Sequence, residues 1–270
     1  MTSHSGSRGS AQGVDTSVHP GPAEFRDSWL KLERGSSLAD QFKASADEFL
    51  SRRPFTMTTT TDATHQRFTV WVTVEPPPDH LGLLLGDATH NLRSALDCLV
   101  AAMARRAGGA DDETQFPICD DPKQFESHYR TRRLRGLPAS EIEFLEQLQP
   151  YNQGLRFIHP LCYLRDMSNA DKHRLIVPTL VAAEHVPIGA AWRMEAAAEL
   201  RISNGPFIPN EPCVLAHVPF DVALTAEAAV VEPQMSIELP AAMHRNAGVR
   251  LSMIAGTVHS ILVDAGALPR

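Results

Sequence analysis

The sequence has few of the features that mark several large classes of protein. Its 270 residues include four cysteines and no Cys-x-x-Cys pair, which argues against a disulfide scaffold and a thiolate zinc site. No run of about 18 apolar residues occurs, and the first residues lack an apolar segment, so we expect a cytoplasmic protein with no membrane partner. The absence of P-loop, Gly-x-Gly-x-x-Gly, Gly-x-Ser-x-Gly and His-Glu-x-x-His motifs argues against a nucleotide-cofactor dehydrogenase, a serine hydrolase and a zincin.

Length and hydropathy pattern predict an α+β fold with an ample core. The chain is 43% hydrophobic, which is enough to form a sizeable core. Its formal net charge of -7 argues against a protein that coats nucleic acid broadly, but not against a local basic patch. We expect a disordered tail over 1–22, a mainly helical region with one strand over 23–175, and a β-rich region with a C-terminal helix over 176–270. The last two regions are expected to pack as one domain, with a helical bundle, an antiparallel sheet in the C-terminal half and a closing helix.

Periodicity and turn residues place the individual elements. Gly35-Ser36-Ser37 is a point where the first helix can kink or split. A threonine-rich stretch follows that helix and precedes the predicted N-terminal strand. Helices are predicted over 23–50, 79–106, 122–129, 140–149, 155–170 and 246–265, and strands over 66–74, 176–181, 192–202, 213–220 and 235–239.

The helix predicted over 79–106 has an unusual polar face. A solvated face is normally rich in Lys and Glu, but neither residue occurs between Asp79 and Arg106. Short polar side chains favour either a buried hydrogen-bond network or dimer seam, or a face that lines a cleft, and both readings stay open. The apolar face comprises Leu85, Ala88, Leu92, Ala95, Leu96, Leu99 and Met103, and the polar face Asp87, His90, Asn91, Ser94, Asp97 and Cys98.

Two further clusters of charged residues are notable. At the predicted end of the 155–170 helix, Lys172, His173 and Arg174 suit a helix C-terminus, and Asp171 is expected to pair with one of them. The stretch 130–135 has four arginines in six residues and is read as a solvated loop or as a phosphate-binding patch.

The segment 90–98, HNLRSALDC, resembles a helix of uncharacterised bacterial proteins in which HNLRSALDH is the usual form. Those proteins share stretches like QFPI at 115–118, QPY at 149–151 and DKHR at 171–174, so the resemblance covers roughly residues 80–175. The usual form is also similar to the Arg-x4-6-His motif of HEPN helical domains. Many HEPN proteins are metal-independent RNA endonucleases of toxin and defence systems that act as dimers. The resemblance therefore implies an HEPN-like bundle, RNA as a partner, a homodimer and no cofactor.

The resemblance also implies roles for individual residues. Arg93 matches the motif arginine and would stabilise phosphate charge, whereas Cys98 stands where the histidine would be. Proton transfer would fall to Cys98 with a lowered pKa or to His90, or else catalysis is lost and an RNA-binding surface remains. The candidate catalytic residues are Arg93, His90, Cys98 and Asp97, and the candidate RNA-binding residues are Arg132, Arg133, Asn91, Lys172 and His173.

Two other functions compete with this reading. Asp87 and His90 lie one turn apart, like the Glu-x-x-His pairs of di-iron bundles, and Asp171 and His173 would complete a site for Fe, Mn or Zn. Such a site would make the protein a metal-dependent enzyme. In the third reading the protein is not an enzyme, and the polar face and the C-terminal sheet bind a partner.

Overall fold

The computed structural model describes residues 21–153, 159–172, 176–182, 201–202, 207–219, 233–237 and 247–268. The mixture of helices and antiparallel strands in these residues confirms the α+β expectation. The helices are α1 (Arg26–Ser51), α2 (Asp79–Arg106), α3 (Pro122–Gln124), α4 (Ala139–Gln147), α5 (Pro160–Asp171) and α6 (Ala247–Gly266), and α3 continues into a π-helix over Phe125–Arg133. The strands are β1 (Phe55–Asp62), β2 (Arg67–Val74), β3 (Pro178–Ala182), β4 (Arg201–Ile202), β5 (Cys213–Pro219) and β6 (Pro233–Ile237).

Helix α1 runs unbroken from Arg26 to Ser51, so the stretch Gly35-Ser36-Ser37 does not split it. Gly35 is buried against α2, and a Cβ on it would lie 2.8 Å from Leu92 Cγ and 3.1 Å from the Leu92 main-chain nitrogen. The glycine therefore allows two long helices to approach closely.

Helix α2 has the bounds predicted from the sequence. It begins after a run of three prolines that stops β2, and it ends where Gly108 adopts a φ of 76°. Its predicted apolar face is buried throughout and includes Leu85, Leu92 and Leu99 at 0% exposure. Arg105 and Arg106 occupy its last turn, where positive charge is favourable.

The sheet corrects the prediction of a single strand in the region 23–175. The threonine-rich stretch is β1, which pairs with β2, and the antiparallel sheet has the order β1-β2-β5-β4. Strands from both halves of the chain therefore share one sheet, while β3 and β6 form a separate pair. Sequence reasoning missed β1 because its central residues are exposed on both faces, which leaves no alternation of apolar and polar residues.

The closing helix α6 packs against α1, α2 and α5, as expected for the C-terminal helix. Its buried residues join one hydrophobic core that also contains residues of α1, α2, α5 and the sheet. The arginines at 130, 132 and 133 lie in the π-helix, so the loop reading of this stretch is wrong for them. Most of the tail predicted over 1–22, the predicted strand over 192–202 except its last two residues, and the start of the helix predicted at 155 lie outside the described residues.

Candidate functional site on helix α2

Four residues of α2 form a stripe along one side of the helix. Gly86, His90, Arg93 and Asp97 follow one another at spacings of four, three and four residues, which places them on successive turns. His90 is exposed, and Arg93 and Asp97 are half-buried. Three sequence candidates, His90, Arg93 and Asp97, therefore share one side of the helix.

The guanidinium of Arg93 is held by three acceptor oxygens from two residues. Its Nε donates to Asp97 Oδ2 at 3.2 Å, and its Nη2 donates to Asp97 Oδ1 at 2.9 Å and to the Phe116 carbonyl at 2.6 Å. Asp97 Oδ1 also accepts the main-chain N–H of Phe116 at 2.9 Å. We call this arrangement of Arg93, Asp97 and the Phe116 main chain the Arg93 clamp. Paired, charge-assisted hydrogen bonds of this kind fix the plane of a guanidinium.

The clamp leaves one nitrogen of Arg93 uncommitted. The side chain of Arg93 is 12% exposed, and within the described part of the chain Nη1 makes no hydrogen bond. Asp97, by contrast, uses its carboxylate on Arg93 and Phe116, so its role in the structure is to position Arg93. Sequence reasoning did not foresee the contribution of Phe116, although QFPI was among the shared stretches.

Cys98 lies beside the clamp on the polar face and faces α1. Burial raises the pKa of the Cys98 thiol, and the negative charge of Asp27 raises it further, whereas Lys31 lowers it. Cys98 is therefore a neutral thiol at physiological pH and is poorly suited to accept a proton. The lowered pKa that a catalytic Cys98 needs is absent.

Helix α1 borders the same polar face. Lys31 Nζ lies 3.5 Å from Asn91 Oδ1, to which it donates, and Asn91 Nδ2 donates to the Asp87 carbonyl at 2.8 Å. Lys31 therefore borders the polar face on its α1 side, and Arg93 borders it on the side of Phe116. Asn91, one of the candidate RNA-binding residues, lies within it.

The residue expected to complete a metal site, Asp171, contacts α2 at the other end of the stripe. Its carboxylate packs on Gly86, where an added Cβ would come within 3.1 Å of Asp171 Cγ. Among the residues that the structure describes, no three His, Cys, Asp or Glu side chains form a group that could hold a metal ion. Asp87, His90 and Asp171 are thus not gathered into such a group, and His173 lies outside the described residues.

The arginines of the π-helix have partners of their own or face solvent. Arg133 Nη1 donates to the Glu113 carbonyl at 3.1 Å, and Arg132 is exposed. The π-helix reaches the clamp through Tyr129, whose pKa is raised by burial and by Cys119 and lowered by Arg93. Lys172 is exposed directly after α5. Within the described part of the chain, no hydrogen bond or ion pair joins Arg132, Arg133 or Lys172 to Arg93.

A buried amide supports the segment that carries Phe116. Gln149 is 0% exposed; its Nε2 donates to the carbonyls of Pro117 and Leu145, and its Oε1 accepts the Cys119 N–H at 2.9 Å. Sequence reasoning noted the QPY stretch without giving this residue a role. Its use explains how a segment without secondary structure holds a fixed position against α2.

Comparison with known proteins adds no family to this description. The chain matches no family model, no curated protein and no solved structure. No helix in the described ranges is long and apolar enough to cross a membrane. The functional argument therefore depends on the geometry of the polar face of α2.

Proposed function

We propose that the protein is an HEPN-like RNA-targeting protein that binds an RNA phosphate through Arg93. The observation that carries the proposal is the Arg93 clamp. A guanidinium that is already fixed by Asp97 and Phe116 loses little further freedom when it binds, and Nη1 remains available for a phosphate oxygen. Lys31, on the opposite side of the polar face of α2, adds a second positive charge for a polyanion.

The proposal gives Cys98 no catalytic part. A general base must be unprotonated near the working pH, and burial of Cys98 acts in the opposite direction. His90 lies one turn before Arg93 and is exposed, so it is the residue on which a cleavage reaction would depend. Without such a reaction, the protein is a catalytically degenerate relative that binds RNA at the same polar face.

Binding is tested first, with a fluorescently labelled single-stranded RNA and fluorescence anisotropy at several salt concentrations. Arg93→Lys keeps the charge but lacks the two-sided hydrogen bonding, so we expect affinity to fall about tenfold while the salt dependence stays nearly the same. Arg105→Lys is the matched control, because it makes the same change at an arginine of the same helix that lies in an exposed ion pair with Asp111. The proposal is wrong if the wild-type protein binds no RNA, or if Arg93→Lys binds as well as the wild type.

Cleavage is tested separately by incubating total RNA with the protein in excess EDTA. Activity that survives EDTA, is lost in Arg93→Lys and His90→Gln, and is unchanged in Cys98→Ser supports a metal-independent nuclease. Binding without cleavage identifies the degenerate form. Cleavage that stops in EDTA and returns with Mn²⁺ contradicts the metal-independent form and favours a site built on Asp87 and His90.

A further inference from the structure

Strand β1 is exposed to an unusual degree for a regular strand. It has eight residues, the six central ones are exposed, and among the residues that the structure describes β2 is its only neighbour in the sheet. It pairs with β2 in continuous register from Phe55 opposite Val74 to Asp62 opposite Arg67. Burial in the core therefore does little to hold β1, and its pairing with β2 alone is a weak source of stability.

The free edge of β1 carries none of the usual protection against pairing. Edge strands are commonly interrupted by proline, lysine or a bulge, but residues 55–61, FTMTTTT, contain no proline and no charge, and the register shows no shift. In an antiparallel pair, every second residue directs its N–H and C=O away from the neighbouring strand. Among the described residues, no main-chain group outside the β1–β2 ladder bonds to the main chain of residues 56–62. The edge can therefore accept another strand.

We propose that β1 pairs antiparallel with β1 of a second copy of this chain, which joins two four-stranded sheets into one. A two-fold axis at Thr59 places Thr58 opposite Thr60 and Met57 opposite Thr61 of the other copy. Threonine favours strands, and threonine side chains pair well across neighbouring strands. The pairing uses neither the polar face of α2 nor Arg93 or Lys31, so it is independent of the RNA proposal.

The charges at the two ends of β1 favour an antiparallel copy. Arg52 and Arg53 are exposed just before the strand, and Asp62 is its last residue. Antiparallel pairing brings the end of β1 that follows the two arginines in one copy to the end that carries Asp62 in the other, whereas parallel pairing would place arginines beside arginines. Because Asp62 already accepts hydrogen bonds from Arg67 and from the His65 N–H of its own copy, the preference for the antiparallel arrangement comes from keeping the arginines of the two copies apart.

The test measures the mass of the protein by light scattering over a range of concentrations. We expect the wild-type protein to have the mass of two chains. Thr59→Lys places like charges opposite each other at the axis, as does Thr59→Glu, so each variant alone should raise the dimer dissociation constant about fivefold. An equal mixture of the two variants should restore the dimer, which unfolded chains cannot do.

A matched substitution separates this effect from a general effect of charge. Thr131→Lys adds the same charge at an exposed threonine of the π-helix and should leave the dimer unchanged. Amide hydrogen exchange gives a second readout, since dimer formation should protect the outward-facing amides of β1 as concentration rises. A single-chain mass at every concentration overturns the proposal. A dimer that Thr59→Lys and Thr59→Glu leave intact also overturns it, because the interface then lies elsewhere.

Discussion

Replacing Asp97 with alanine tests how strongly the Arg93 clamp ties α2 to the segment around Phe116. The substitution removes both acceptor oxygens that Arg93 uses on this side chain and the acceptor of the Phe116 N–H. Phe116 is 0% exposed, so water has little access to replace the bond to its amide. The change therefore leaves two donors without their protein acceptor.

The expected loss of unfolding free energy is about 2–3 kcal/mol. A hydrogen bond to a charged group contributes roughly 1.5–3 kcal/mol, and an unsatisfied buried donor costs about 1–3 kcal/mol. The sum is reduced because the Asp97 side chain is 34% exposed and water can replace part of the interaction with Arg93. Arg93 also keeps its bond to the Phe116 carbonyl, which limits the loss further.

Urea unfolding followed by circular dichroism measures this loss, with Asp111→Ala as the control. Asp111 pairs with Arg105 near the end of the same helix, but both side chains are more exposed, at 40% and 49%. We therefore expect Asp111→Ala to cost less than about 1 kcal/mol. A double-mutant cycle with Arg93→Ala should give a coupling of about 1–2 kcal/mol. Equal losses for Asp97→Ala and Asp111→Ala would refute the idea that the clamp supports the fold.

Three further predictions use other parts of the molecule. Gln149→Leu should cost about 2–4 kcal/mol in urea unfolding because it removes three hydrogen bonds from a fully buried site, whereas Gln153→Leu on the surface should cost little. Gly35→Ala should lower the free energy of unfolding by about 1–3 kcal/mol, because the new Cβ forces α1 away from α2. Gly256→Ala, where no neighbouring atom lies within 4 Å of the new Cβ, should raise it by up to about 1 kcal/mol. Effects of the same sign would contradict this reasoning. Alkylation of Cys98, followed by mass spectrometry at about pH 8, should be slower in the folded than in the urea-unfolded protein, because burial raises its pKa; an equal rate would refute this.

Helices were predictable where the hydrophobic repeat was strong and local signals marked the ends. The bounds of α2 follow from prolines before it and glycines after it, and its buried stripe follows from the 3.6-residue repeat. The same reasoning failed at Gly35, because a glycine in a helix signals either a break or a close contact, and only the neighbouring helix distinguishes them. It failed at β1 because pairing with β2, and not burial, makes that stretch a strand.

The candidate site, like the fold, could be predicted only in part from the sequence. The sequence alone determined that a helix with a polar face of short side chains would carry His90 and Arg93 on one side, since this depends only on helical spacing. Tertiary structure decided what these residues do: Phe116, distant in the chain, meets Asp97 and Arg93, and burial against α1 keeps Cys98 protonated. The orientation of a guanidinium and the pKa of a thiol depend on neighbours supplied by other segments. Those neighbours are set by packing over long sequence separations, which local pattern does not encode.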